Sequence, residues 1–178
     1  MKTRISTWLA VVAAMVMGWA GPAAGAQSTQ LPSFLYETLT NWHSGQCVSA
    51  SGSPATSNVQ QWTCWDYQYQ QWRIVPTDTV WFELRVASTG ECMAVDGASQ
   101  DDNHKVVTNA CNGNFNQQWT WMSAPIGGGF VFLVARHSGK CLAILSESLE
   151  MGANLVQYAC TPYTWQIDPI GGSYWRFS

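Results

Sequence analysis

Six cysteines are the residues in this 178-residue chain whose spacing most directly implies chemistry. They fall into three pairs of similar separation, and each pair follows a turn that ends in glycine, as SGQC, TGEC and SGKC. Metal sites usually gather cysteines as C-x-x-C, which this sequence lacks, whereas local pairs are typical of disulfides in exported chains. The pattern predicts three disulfides, Cys47–Cys64, Cys92–Cys111 and Cys141–Cys160.

Histidines and acidic residues offer little further chemistry. His43 and His137 occupy equivalent turn positions and His104 lies in a polar loop, so all three are expected at the surface. Asp101 and Asp102 could bind a cation, but adjacent carboxylates in a polar loop are usually solvated. No glycine-rich loop joins a strand to a helix, and no insertion builds a cleft around paired acids. We therefore predict a protein with no catalytic residue, metal or cofactor.

Charge argues against two classes of partner. Lys and Arg number 8 and Asp and Glu 11, giving a formal net charge of −3. The basic residues are scattered, whereas a nucleic-acid binder carries a basic stripe and a protein that binds anionic membranes carries a polybasic segment. With 11 tryptophans and many Gln, Asn, Ser and Thr residues, the composition favours binding of neutral polar ligands. Any secreted β protein can share that composition.

The first residues are typical of an export signal. The basic start at Lys2 and Arg4 precedes an apolar run from Trp8 to Trp19 and the small residues Ala24-Gly25-Ala26. We predict a signal peptide over 1–26 and a secreted, extracellular chain over 27–178. The alternative is an uncleaved membrane anchor, which needs about 20 consecutive apolar residues.

One sequence unit occurs three times. Each copy has a glycine turn, a cysteine, an apolar run, a polar crossing, a second cysteine and a tryptophan, and the copies end at Trp72, Trp119 and Trp165. The period of about 45 residues is typical of closed or stacked repeats. Short aromatic and β-branched segments such as Phe82–Val86 and Phe130–Val134 predict strands bounded by turn residues. The chain is therefore expected to be all-β.

The end of the unit explains how such strands would pack. Gln70-x-Trp72 and Gln117-x-Trp119 place Gln and Trp on one face of a strand, since side chains alternate. The indole would fill the core while the amide bonds backbone groups of a turn. With its paired cysteines, the unit resembles the ricin B-type lectin domain, a β-trefoil, from roughly Phe34 to Asp168.

The resemblance implies a carbohydrate-binding β-trefoil, and we expect a monomer. Its repeats would span about 34–78, 80–124 and 128–169, with a closing strand over 173–178. Because Tyr174–Phe177 is similar to the strand that opens each repeat, we expect it to lie beside the opening strand of the first repeat. The alternative function is a protein-interaction or inhibitor module with relic sugar pockets, since one fold can support either carbohydrate binding or protein interaction.

Family sugar pockets use an Asp two residues after the first cysteine, an aromatic ring two residues before the second, and Asn or Gln near Gln-x-Trp. The Asp is replaced in all three copies, by Ser49, Ala94 and Ala143. The candidate ligand-binding residues carried over from the family are Ser49, Trp62, Tyr69 and Gln70 in the first copy, Asp96, Asn116 and Gln117 in the second, and Tyr158 in the third.

Only the first copy keeps both kinds of contact. The second has Asn109 where a ring is needed, and the third has few residues between Cys160 and Trp165. Binding is therefore predicted to be weak, multivalent and concentrated at Trp62, with Ser49 and Gln70 as polar partners. The alternatives are that Trp62 packs beneath a neighbouring hairpin and that Asp96 is a solvated turn acid.

Overall fold

The computed structural model describes residues 36–51, 57–160 and 174–178, and the strands in these ranges join into one 12-stranded sheet. Within the described ranges, no helix is long and apolar enough to cross a membrane. The predicted signal peptide lies outside them. The strands are β1 Tyr36–Asn41, β2 Cys47–Ala50, β3 Ser57–Trp62, β4 Gln71–Pro76, β5 Phe82–Val86, β6 Cys92–Val95, β7 His104–Asn109, β8 Trp119–Ser123, β9 Val131–Ala135, β10 Cys141–Ile144, β11 Leu155–Tyr158 and β12 Trp175–Phe177.

Six of these strands close into a barrel. Strand β1 pairs with β4, β4 with β5, β5 with β8, β8 with β9 and β9 with β12, and β12 returns to β1. The other six form the hairpins β2–β3, β6–β7 and β10–β11, which contact one another through β7. A six-stranded barrel capped by three hairpins is the predicted all-β β-trefoil. Closure leaves the barrel without a free edge.

Three buried tryptophans occupy equivalent places in the core. Trp72, Trp119 and Trp175 are all fully buried. Each indole Nε1 donates a hydrogen bond to a carbonyl in the neighbouring hairpin strand, at 3.1 Å for the first and 3.0 Å for the other two. The first two are the predicted core tryptophans. The third place belongs to Trp175 and not to Trp165, which lies outside the described residues. The chain between Cys160 and the core tryptophan is therefore longer in the third repeat than in the others, not shorter.

The last strand joins the two ends of the domain. Leu39 pairs with Phe177 and Asn41 with Trp175, as expected for a strand beside β1. The amide nitrogen of Thr38 also donates to the Ser178 carbonyl at 2.8 Å, and that of Ser178 to the Thr38 carbonyl at 3.0 Å. Carrying the third core tryptophan, β12 matches β4 and β8, which end the first two repeats. The predicted similarity of this segment to the strands that open the repeats is therefore wrong, although its predicted position beside β1 is confirmed.

Disulfides connect each hairpin to the segment that follows it. The three bonds are the predicted Cys47–Cys64, Cys92–Cys111 and Cys141–Cys160, with Cα atoms 5.0, 5.1 and 5.1 Å apart. No cysteine is free. Each bond closes a short loop and so restricts the unfolded chain.

Two buried glutamines link successive repeats, a role that the sequence did not reveal. The Gln61 amide donates to the carbonyls of Ser148 and Glu150 at 2.6 and 2.9 Å, which attaches the first repeat to the third. The Gln157 amide likewise donates to the carbonyls of Ser99 and Asp101, both at 2.8 Å. Because loop carbonyls shielded from water need a partner, these amides stabilise the contact between repeats.

Asp78 organises the turn between β4 and β5. Its carboxylate accepts hydrogen bonds from the amide nitrogens of Val80 and Trp81, both at 2.9 Å, and pairs with Nη1 of Arg136 at 3.0 Å. The two backbone hydrogen bonds, helped by the Arg136 charge, hold the pKa of Asp78 below its usual value of 3.8. A lowered pKa means that the carboxylate stabilises the fold above its unfolded pKa and loses that effect as the pH falls through its folded pKa.

Asp78→Ala should therefore lower the Tm at about pH 7, and the difference from the wild type should shrink towards about pH 3 as the wild-type carboxylate is protonated. Thermal denaturation of both proteins across this range measures the effect. If the difference stayed constant over the whole range, the ionised carboxylate would not be its source.

Candidate ligand-binding site

Strand register places the predicted contact positions at equivalent points of the three hairpins. The first cysteine of each pair lies opposite Trp62 in the first repeat, Asn109 in the second and Tyr158 in the third. Burial alternates along β3, with Val59 and Gln61 facing inward and Gln60 and Trp62 facing outward. Ser49 pairs with Gln60, so the three side chains Ser49, Gln60 and Trp62 share one face.

This face opens into a cavity of about 270 Å³ in the first repeat. The cavity brings together three of the predicted residues, Ser49, Trp62 and Tyr69, and none of the described residues that line it is charged. Ser49 is only 3% exposed and makes one long hydrogen bond, of 3.4 Å, to the Ala50 carbonyl. The remaining lining residues, which the sequence analysis did not identify, are Ala50, Ser51, Gln60 and Trp65.

Trp62 is held in place by the third repeat. A Cβ atom built on Gly152 would lie 3.4 Å from Cζ2 of the indole, so that backbone packs against the ring. Beside it, Nε2 of Gln60 donates to the Gly152 carbonyl at 2.9 Å and to Oδ1 of Asn154 at 3.1 Å. The ring therefore packs against a neighbouring loop and lines the cavity at once, which makes it a rigid platform.

Gln70 and Gln117, two of the candidate ligand contacts, have side-chain amides that bond backbone groups of their own turns. Gln70 is fully buried; its Oε1 accepts from the Trp65 amide nitrogen at 2.7 Å, and its Nε2 donates to the Thr63 carbonyl at 2.9 Å. Gln117 bonds Asn112 and Ala110 in the same way, at 2.9 Å each. Both amides therefore make hydrogen bonds that close a turn, as their two-residue spacing from the core tryptophans predicts.

In the second repeat, Asp96 and Asn116 are held by separate contacts. Asp96 pairs with Nζ of Lys105 at 3.3 Å. Asn116 donates to the Val95 carbonyl at 2.8 Å and lines a separate, open depression with Phe115 and His137. Phe115 is 55% exposed there, and the Arg136 guanidinium lies 4.1 Å over its ring. No sequence signal singled out Phe115, and only its exposure in the folded chain marks it as a surface ring.

In the third repeat the structure describes only part of the candidate site. Tyr158 is partly buried at the end of β11, opposite Cys141. Residues 161–173, which follow Cys160 in the sequence, lie outside the described part of the chain.

One group of potential metal ligands occurs among the described residues. Donor atoms of Glu83, Cys92 and Cys111 lie within 4.8 Å of one another. However, the two cysteines form a disulfide, and the Glu83 carboxylate binds Arg85 at 2.7 Å. This group therefore offers no thiolate and no free carboxylate to a metal.

A family model for the ricin-type β-trefoil lectin domain-like proteins matches residues 30–109, 78–158 and 115–178. The chain belongs to this family. The overlapping matches agree with the three hairpin and barrel units of the structure. No curated protein sequence matches this ricin-type domain significantly.

Solved structures share the fold. The designed threefold-symmetric protein ThreeFoil is 31% identical, with a TM-score of 0.71 over 80% of this chain and 96% of its own. The exo-β-1,3-galactanase 1,3Gal43A from Clostridium thermocellum is 24% identical, with a TM-score of 0.72 over 83% of this chain but 30% of its own. The Macrolepiota procera ricin B-like lectin, solved in complex with lactose, is 18% identical, with a TM-score of 0.67 over 84% of this chain and 98% of its own. The two lower identities show a shared fold alone.

Proposed function

We propose that this protein binds carbohydrate through the cavity of its first repeat, with Trp62 as the platform. The observation that carries the proposal is the combination of three rings, Trp62, Trp65 and Tyr69, with the neutral polar side chains of Ser49 and Gln60 around one cavity. A sugar has apolar C–H faces that an aromatic ring covers, and hydroxyl groups that hydrogen-bond to neutral donors and acceptors. Both kinds of contact are available here.

The expected affinity for a single sugar is low. Ser49 stands where the family carboxylate would accept hydrogen bonds from sugar hydroxyls, and it is nearly buried. A hydrogen bond to a charged group contributes about 1.5–3 kcal/mol, against about 0.5–1.5 kcal/mol for a neutral pair. We therefore expect a Kd of about 1 mM for a monosaccharide, near −4 kcal/mol, and tighter retention on a polymer that offers many copies.

Export is part of the same proposal. The leader-like start of the sequence and the three disulfides both favour an oxidising, extracellular setting for residues 27–178. We propose that these residues act as a monomer. Sugar binding by the Macrolepiota lectin, solved with lactose, supports a carbohydrate ligand for the fold.

A glycan array probed with labelled residues 27–178 tests the function. We expect signals from densely displayed or polymeric neutral glycans and little signal from sparsely displayed monosaccharides. If no glycan gave a signal while the folded protein captured a defined protein partner, the interaction or inhibitor module would be the better assignment.

A further inference from the structure

We propose that the site binds an internal stretch of a single, neutral, soluble polysaccharide chain, which runs out of the cavity across Trp65 and Tyr67. This inference rests on the proposed carbohydrate-binding function and names its ligand class. It excludes both a lone terminal sugar and a flat crystalline surface as the preferred ligand.

An exposed ring outside the cavity lining, that of Tyr67, adjoins two rings of the cavity. We define the aromatic strip as Trp62, Trp65, Tyr67 and Tyr69. Tyr67 contacts both Trp65 and Tyr69, with ring centroids 5.9 and 5.2 Å apart, whereas the cavity lining ends at those two residues. Trp65 and Tyr67 are 50% and 51% exposed. These two centroid distances are similar to the length of one sugar unit, so consecutive units of a chain can each meet one of the rings of Trp65, Tyr67 and Tyr69.

The backbone does not need these rings. The second repeat carries Asn112, Asn114 and Asn116 at the places of Trp65, Tyr67 and Tyr69. Its buried glutamine makes the same two backbone hydrogen bonds, although Gly113 has a φ of 77° and Asp66 has no positive φ. Folding therefore does not account for three aromatic residues in the first repeat. Adjacent half-exposed aromatic side chains are typical of binding surfaces.

The strip is also rigid before a ligand arrives. The amide nitrogen of Tyr67 donates to the Trp65 carbonyl at 2.6 Å, and that of Gln70 donates to the Tyr67 carbonyl at 2.8 Å. The buried Gln70 side chain and the Cys47–Cys64 disulfide hold the start of the same segment. A platform that is ordered in advance loses little conformational entropy on binding.

Charge and ring orientation define the class of polymer. Asp66 is the one charged residue between Trp62 and Gln70, and it accepts a hydrogen bond from Gln71, so an anionic chain would meet a carboxylate within this segment. The planes of Trp65 and Tyr67 differ by 66°, and those of Tyr67 and Tyr69 by 39°. A flat crystal face needs coplanar rings, whereas one twisted chain can follow rings that turn.

Affinity electrophoresis against xylan, galactan, galactomannan and mixed-linkage β-glucan tests the inference, with NMR titration of the matching monosaccharides. Tyr67→Asn and Trp65→Asn introduce residues that the second repeat already accommodates, and Asn114→Ala in that repeat is the control. Wild type and control should favour at least one polymer over its monosaccharide. In Tyr67→Asn this preference should fall roughly tenfold, equivalent to about 1.4 kcal/mol.

Two results would overturn the extended ligand while leaving carbohydrate binding intact. One is an unchanged polymer preference in both Trp65→Asn and Tyr67→Asn. The other is binding to microcrystalline cellulose that Tyr67→Asn does not reduce. If the wild type bound none of the soluble polymers or monosaccharides in the panel, the proposed function would be overturned, and this inference with it.

Discussion

Trp175→Ala should destabilise the protein by about 3–5 kcal/mol, as much as the same change at Trp72 or Trp119. The side chain is fully buried, its Nε1 donates to the Leu142 carbonyl at 3.0 Å, and its strand connects β9 to β1. Removing the indole leaves a cavity at the point where the barrel closes. Urea denaturation at equilibrium measures the loss of unfolding free energy.

Trp165→Ala is the matched comparison, because the sequence period assigned the third core position to that residue. We expect it to cost less than Trp175→Ala, since Trp175 already fills the core place. A domain has about 5–15 kcal/mol of stability, so Trp175→Phe provides a milder variant that should stay folded and still lose the indole hydrogen bond. If Trp165→Ala were the costlier change and Trp175→Ala nearly neutral, the assignment of the third repeat would be wrong.

Trp62→Ala should abolish retention on an immobilised polysaccharide while the fold is kept. The indole is the fixed ring of the cavity, supported by Gly152, and it is only partly buried. Its loss removes the surface that would cover the apolar face of a sugar, so we expect the affinity to fall by more than about tenfold. Affinity chromatography measures the retention, and circular dichroism together with thermal melting checks the fold.

Two variants make the result specific. Trp62→Asn introduces the residue that the second repeat has at Asn109, opposite Cys92 in the same register, so it should fold and also lose binding. Tyr158→Phe in the third repeat should have little effect. Retained binding in Trp62→Ala together with lost binding in Tyr158→Ala would place the site in the third repeat.

Local sequence spacing predicted the features that depend on neighbouring residues. The cysteine pairs lie close along the chain and meet across one hairpin and the turn after it, so their order was enough to assign Cys47–Cys64 and its two counterparts. The two-residue step from Gln70 to Trp72 likewise predicted an amide that closes a turn and an indole that enters the core. Such features need no knowledge of distant contacts, because strand geometry alone determines which side chains share a face.

The family pattern was less informative about the site. It includes Gln70 and Gln117 as candidate contacts, and residue type alone does not show that their amides already bond backbone groups of a turn. Gln60 and Gln61 are adjacent and chemically identical, yet one lines the cavity and the other is buried against the third repeat. The alternation of β3 separates their roles, but which face is inward depends on how the hairpin docks.

The sequence by itself determined that the chain is all-β, that it has three repeats with one disulfide each, and that Trp62 is the aromatic residue two positions before the second cysteine of the first repeat. Only the tertiary structure decided that Trp175 completes the core and that Trp65 and Tyr67 remain half exposed beside the cavity. The physical reason is that burial depends on which segments meet in space. The third core position is filled by Trp175 because β12 pairs with β1 and β9, even though Trp165 fits the repeat period of the sequence better.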